Sequence, residues 1–142
     1  MTPRRRDLVA TALTAGLAGS AGTAWSTEPR HPQRRWHLEA LRMRVLAESW
    51  GDQPYGAVVV ADDQVIGLGP SRVVKDGDPE AHAERVAIRE ALRSQGRGTL
   101  AGAVLYSTSR PCAACEAAAA RAGIARMYHG DDLRDAGVPR GR

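Results

Sequence analysis

Phenylalanine is absent from this 142-residue chain, and aromatic residues of any kind make up only 4% of it. A hydrophobic fraction of 43% still suffices for one packed domain, so its core must be built mostly from Ala, Val, Leu and Ile. Excess charge is also scarce. The formal net charge is +4, but Arg4, Arg5, Arg6 and Asp7 all lie near the N-terminus. Residues 25–142 carry 17 basic and 15 acidic side chains, a balance of +2 that does not mark a nucleic-acid-binding surface. No internal repeat is present. The Ala/Gly/Thr/Leu stretch from Ala10 to Ala24, which carries no charge, is too short and too rich in Gly to span a bilayer comfortably.

That stretch has a different reading. A basic n-region at Arg4-Arg5-Arg6 precedes Asp7-Leu8-Val9, a weakly apolar h-region follows, and small residues stand at Gly22 and Ala24. The order fits an exported precursor and resembles a twin-arginine signal. The expectation is an export signal at 1–24, cut after Ala24 or Ser26, a functional domain at 25–142, and a periplasmic or secreted location. A disordered, uncleaved tail is the alternative.

Pro29 and Pro32 mark a linker. From Arg34 to Trp50, Leu38, Leu41, Val45 and Leu46 recur at helical spacing and predict an amphipathic helix with those residues inward. Gly51-Asp52-Gln53-Pro54 stops it. The apolar run Ala57-Val58-Val59-Val60 within 55–61 reads as a strand covered on both faces. Asp62-Asp63 turns it into a second strand at Val65–Leu68. Asp78 as N-cap and Pro79 as first helical residue predict a second helix to about Ser94, its core face Val86, Ala87, Ala91 and Leu92. Ala103–Tyr106 is a third strand, Pro111 opens an alanine-rich third helix ending at Gly123, and Ile124–His129 is a fourth strand. No structure is expected after residue 130. Strands alternating with helices predict a three-layer α/β sandwich with a mixed sheet, the first two strands antiparallel and the rest parallel.

Two stretches concentrate chemistry at predicted helix starts: Asp78-Pro79-Glu80-Ala81-His82-Ala83-Glu84 and Pro111-Cys112-Ala113-Ala114-Cys115. His82, Cys112 and Cys115 are a three-ligand set for zinc that leaves a fourth position for water. Glu84 is the proton carrier beside them. Helix N-termini favour thiolate over thiol, as ligation requires. Cys112 and Cys115, three apart, can face one point, whereas His82 and Glu84, two apart, cannot share a face within a helix. The metal must then sit across the helix's N-terminal end. Rival readings are a redox Cys112/Cys115 pair and a structural zinc site completed by His129, His31 or His37. Tyr55 reads as core or pocket wall, and Arg134, Arg140 and Arg142 as a solvated tail.

H-x-E followed by P-C-x-x-C is the mark of zinc nucleobase deaminases. From about Arg34 to Gly130 the chain resembles the cytidine and deoxycytidylate deaminase superfamily, nearest the branch of guanine deaminase, cytosine deaminase and tRNA adenosine deaminase. The resemblance rests on Tyr55-Gly56-Ala57-Val58-Val59-Val60, on residues 78–84, on Leu105-Tyr106-Ser107-Thr108 before Pro111, and on Ala122-Gly123-Ile124-Ala125-Arg126 after it. It implies a cytidine deaminase-like fold, zinc on His82, Cys112 and Cys115, proton transfer by Glu84, a backbone contact to the base at Ala57, and a homodimer. Two positions depart from the branch. Ser71 stands where it has a substrate-holding Asn, and Arg110 where it has Glu. The expected reaction is hydrolytic removal of an exocyclic amine from a free nucleobase or nucleoside, with Tyr55, Ala57 and Ser71 on the substrate and nucleic acid not expected as a partner. The alternatives are action on tRNA, and a CXXC module without deaminase activity.

Overall fold

Asp62 and Asp63 carry the first turn. Both have positive φ (49° and 57°), the left-handed pair that a two-residue hairpin between right-twisted strands requires. In the computed structural model, which describes residues 32–141, this turn joins β1 (Gly56–Ala61) to β2 (Gln64–Pro70). The expected export signal at 1–24 lies outside the described residues. Helix α1 (Arg34–Ser49) precedes the hairpin. After it come α2 (Ala83–Gln95), β3 (Val104–Ser107), α3 (Ala113–Ala122), β4 (Arg126–His129) and β5 (Arg134–Gly137).

The sheet order is β2-β1-β3-β4-β5. β1 is antiparallel to both β2 and β3, β3 and β4 are parallel, and β4 and β5 are antiparallel. The predicted mixed-sheet sandwich is thus present, with α1 against Val58, Val60, Tyr106 and Tyr128 on one face. Helices α2 and α3 pack on the other face against Ala57, Val59, Leu105 and Met127. β5 corrects the expectation that nothing follows residue 130. Its sequence, Arg-Asp-Ala-Gly, has no apolar alternation, and the strand is held by its ladder to β4 and by Arg126 Nε donating to Asp135 Oδ2 at 3.0 Å.

The scarcity of large side chains shows in how closely helices approach the sheet. A Cβ on Gly69 would lie 2.1 Å from the Ala83 carbonyl oxygen, and one on Gly67 would lie 2.2 Å from that of Ala87. The first turn of α2 therefore rests directly on the β2 backbone. Its buried face is Ala83, Glu84, Ala87, Ile88 and Ala91, whereas Val86 and Leu92, expected inside, are only half-buried. The same principle corrects α1. Gly56 allows the Ala40 carbonyl to within 2.1 Å of its virtual Cβ, so the small face turns inward with Trp36, His37 and Ala47. Leu38, Val45 and Leu46, expected in the core, are 45%, 63% and 36% exposed.

Candidate active site

Asp-Pro does not start α2. The Asp78 carbonyl accepts the Ala81 N–H at 3.0 Å, and its Oδ1 accepts the Glu80 N–H at 2.9 Å, so residues 78–81 close as a turn with Pro79 at its second position. The helix begins at Ala83, with His82 as the N-cap in an extended conformation (φ −61°, ψ 151°). Cys112 is the N-cap of α3 in the same way (φ −69°, ψ 167°), and its Sγ accepts the Cys115 N–H at 3.4 Å. These caps meet the geometric demand stated above. His82 stands outside the helical spiral, so its ring and the Glu84 carboxylate can serve one point at the helix end.

His82 Nδ1 lies 3.4 Å from Cys115 Sγ and 3.7 Å from Cys112 Sγ. Zinc bond lengths at a tetrahedral angle place such N and S ligands about 3.5 Å apart. All three ligand atoms lie within 4.8 Å of one another, and among the described residues this is the group of His, Cys and acidic side chains able to hold an ion. His129 is not in it, and His37 is buried in α1 with its Nε2 2.8 Å from Asp131 Oδ1. The described residues therefore supply no fourth protein ligand, as a structural zinc site would need. Cys115 does not follow the helix-end expectation. Burial, then the charge of Glu84, pushes the Cys115 thiol up. Ligation there has to displace a proton, which a divalent cation does.

Glu84, 5% exposed in the first turn of α2, has a buried partner: the Ser107 hydroxyl donates to its Oε1 at 2.7 Å. A cavity of about 310 Å³ opens over His82, Glu84 and Cys112, walled by Gln53, Tyr55, Ser109 and Arg110. That is the low end of the size range for small-ligand sites. Of the expected substrate contacts, Tyr55 is on this wall, 43% exposed. Ala57 is fully buried, paired in the sheet with Gly69 and Ser107, and is not part of the wall.

Ser71 also faces elsewhere. It is 1% exposed and its hydroxyl donates to Asp52 Oδ1 at 2.9 Å. Asp52 accepts three further hydrogen bonds, from the backbone N–H groups of Gln53 (2.8 Å), Val74 (3.0 Å) and Lys75 (2.7 Å). Burial raises its pKa, but the bonds from Lys75, Gln53, Ser71 and Val74 together outweigh it and hold the carboxyl below its ordinary value. Asp52 thereby ties the end of α1 to the 71–75 loop and sets where Gln53 and Tyr55 enter the wall.

Sequence reasoning placed none of Gln53, Asp52, Ser107 or Ser109 in the site. Ser107 alone carried a signal: in a strand whose alternate residue Leu105 is core, a small polar side chain on the same face has to find a buried partner.

The family model for the cytidine and deoxycytidylate deaminase zinc-binding region matches residues 30–131. A tRNA-specific adenosine deaminase of Buchnera aphidicola is 36% identical over 100 residues, covering 70% of this chain and 66% of that enzyme, so the chain spans just under two thirds of its relative's length. A solved structure from work on A-to-I editing by tRNA:A34 deaminases aligns with 38% identity and TM-score 0.67, over 69% of this chain and 71% of that one. The guanine deaminase of Bacillus subtilis aligns with 30% identity and the same TM-score, over 70% of this chain and 64% of that one. The fold, the spacing of His82, Glu84, Cys112 and Cys115, and these matches agree: the chain belongs to the zinc-binding cytidine and deoxycytidylate deaminase family.

Proposed function

We propose that the protein is a zinc-dependent hydrolytic deaminase that removes the exocyclic amine of a free nucleobase or nucleoside, of guanine or cytosine type, and releases ammonia. The reading is carried by a buried carboxylate beside a three-ligand zinc set at the base of a small cavity. Held by His82, Cys112 and Cys115, zinc would supply a Lewis acid able to bring the pKa of water down to about 7. Glu84 takes a proton from the attacking water and returns it to the ring nitrogen. It then takes the second water proton and delivers it to the departing amine. One carbon–oxygen bond forms, one carbon–nitrogen bond breaks, and Glu84 ends as it began.

The rim supports a small substrate. A base within a polynucleotide needs cations free to hold the flanking backbone. Here both cations of the 71–77 loop are engaged: Arg72 makes two bonds to Asp76 (2.8 and 2.9 Å), and Lys75 Nζ stands 3.9 Å over the Trp50 ring. Among the described residues of the cavity wall, Arg110 is the cation without an ion pair.

A second reading, deamination of adenosine in tRNA, is favoured by the 36% identity to an enzyme of that name. One experiment separates them: ammonia release from guanine, cytosine, adenine and their nucleosides, against release from tRNA at equal target-base concentration. Faster turnover of tRNA with steep loss on added salt would replace the first reading with the second. A homodimer is part of the proposal, and sedimentation of the purified protein as a monomer would remove it.

A further inference from the structure

Ser107 ends β3, the middle strand of five, and neither the zinc set nor the cavity wall uses it. Its backbone is held from both sides, opposite Ala57 in β1 and beside His129 in β4. Its side chain is fully buried on the α2 face, where its hydroxyl donates to Glu84 Oε1 at 2.7 Å. That is a well-formed O–H···O hydrogen bond. A serine hydroxyl has one proton to give. Its direction is set by a second contact, the Ser109 N–H donating to the same oxygen at 3.4 Å. Ser109 in turn walls the cavity. One hydroxyl therefore joins the middle strand of the sheet, the cavity wall and the proposed proton carrier.

Resting on the deaminase reading, we propose that Ser107 is a positioning residue for Glu84. Its hydroxyl holds Oε1 and leaves the second carboxylate oxygen directed at the reacting atoms. The physical need is plain. A glutamate has three side-chain torsions, the last of them soft, and a proton carrier displaced by about 1 Å can lose about 10²-fold in rate.

The test compares the full chain carrying Ser107→Ala, Ser107→Thr and Ser107→Val, each also combined with Glu84→Ala, for zinc content, melting temperature, kcat and KM on the best substrate of the base and nucleoside panel. Ser107→Ala should lower kcat about 10- to 100-fold, leave KM within twofold and keep zinc at the wild-type level. Thr should recover most of kcat and Val should not, since they have nearly the same shape and only Thr keeps the hydroxyl. On the Glu84→Ala background the alanine change should cost nothing further, because no carboxylate is left to orient. An unchanged kcat, an effect confined to KM, a loss of zinc, or a full second loss on the Glu84→Ala background would each overturn the proposal.

If no substrate in the panel, tRNA included, releases ammonia, the functional reading fails and melting alone decides this one. Ser107→Ala should then lower the melting temperature by roughly 4–8 °C in the wild type and leave the Glu84→Ala variant unmoved. Equal losses in both would sink the pairing.

Discussion

The two halves of the site are built by different means. The metal half hangs on two helix N-termini, where His82 and Cys112 are the caps and Glu84 and Cys115 fall in the first turns. Each side chain there is placed by its position relative to a helix start, and α2 is seated on β2 through Gly67 and Gly69. The rim half is loop, and its contents are placed by long-range hydrogen bonds: Asp52 to the 71–75 loop, Ser71 to Tyr55 through the backbone at 3.1 Å, and Arg72 N–H to the Ala81 carbonyl at 3.0 Å. Such a site draws its reactive groups from short local motifs and its rim from contacts between distant segments.

The comparison is broken most severely by removing a metal ligand. Cys115→Ser should lose zinc and stability together. The loss is about 4 kcal/mol where the metal stands some 1,000-fold above its dissociation constant. Cys115 is fully buried and Cys112 is exposed. Cys115→Ser should therefore cost more in melting temperature than Cys112→Ser at equal zinc loss, as calorimetry with metal analysis would show. Equal costs would mean that the metal alone, and not the packing at the start of α3, ties this half together.

Glu84→Gln tests chemistry without the metal. It should keep zinc and fold and lose ammonia release by roughly 10²- to 10⁴-fold. Near-normal turnover would remove Glu84 as the proton carrier.

The rim gives the smallest effect and the one that depends on acid. Asp52→Asn should destabilise by about 1–3 kcal/mol, since an amide cannot accept all four donors. Because the folded carboxyl lies below its ordinary value, its contribution is present above the unfolded pKa of about 3.9 and is lost as pH falls through the folded one. Urea unfolding from pH 6 down to pH 2 should show the gap between wild type and variant narrowing below about pH 4. A gap constant across that range would show that the charge of Asp52 does not hold the loop.

Legibility followed the same division. His82, Cys112 and Cys115 could be read because His and Cys are rare in this chain and stand in two short motifs, and Glu84 because it lies two residues from His82. The hairpin at Asp62-Asp63 could be read because few residues tolerate a left-handed pair. Helix starts were misplaced where Asp-Pro made a turn in place of a cap. The inward face of α1 was misread because apolar spacing marks Leu38 and Val45, while the close approach at Gly56 accepts only small residues such as Ala40. β5 was missed because an edge strand of polar residues has no period to detect.

By itself the sequence determined which His and Cys side chains could hold a metal, that an acid stands two residues from the His, and an alternating α/β order, since each depends on residue chemistry at short range. Only the tertiary structure decided that His82 and Cys112 are caps whose ligand atoms converge within 4.8 Å, that Ser107 donates to Glu84, and that Ser71 turns to Asp52 and away from the cavity. Those partners are separated by 30, 23 and 19 positions along the chain. No local propensity encodes such pairings. They are selected when the core closes, because a buried polar group left unpaired costs more than the order needed to pair it.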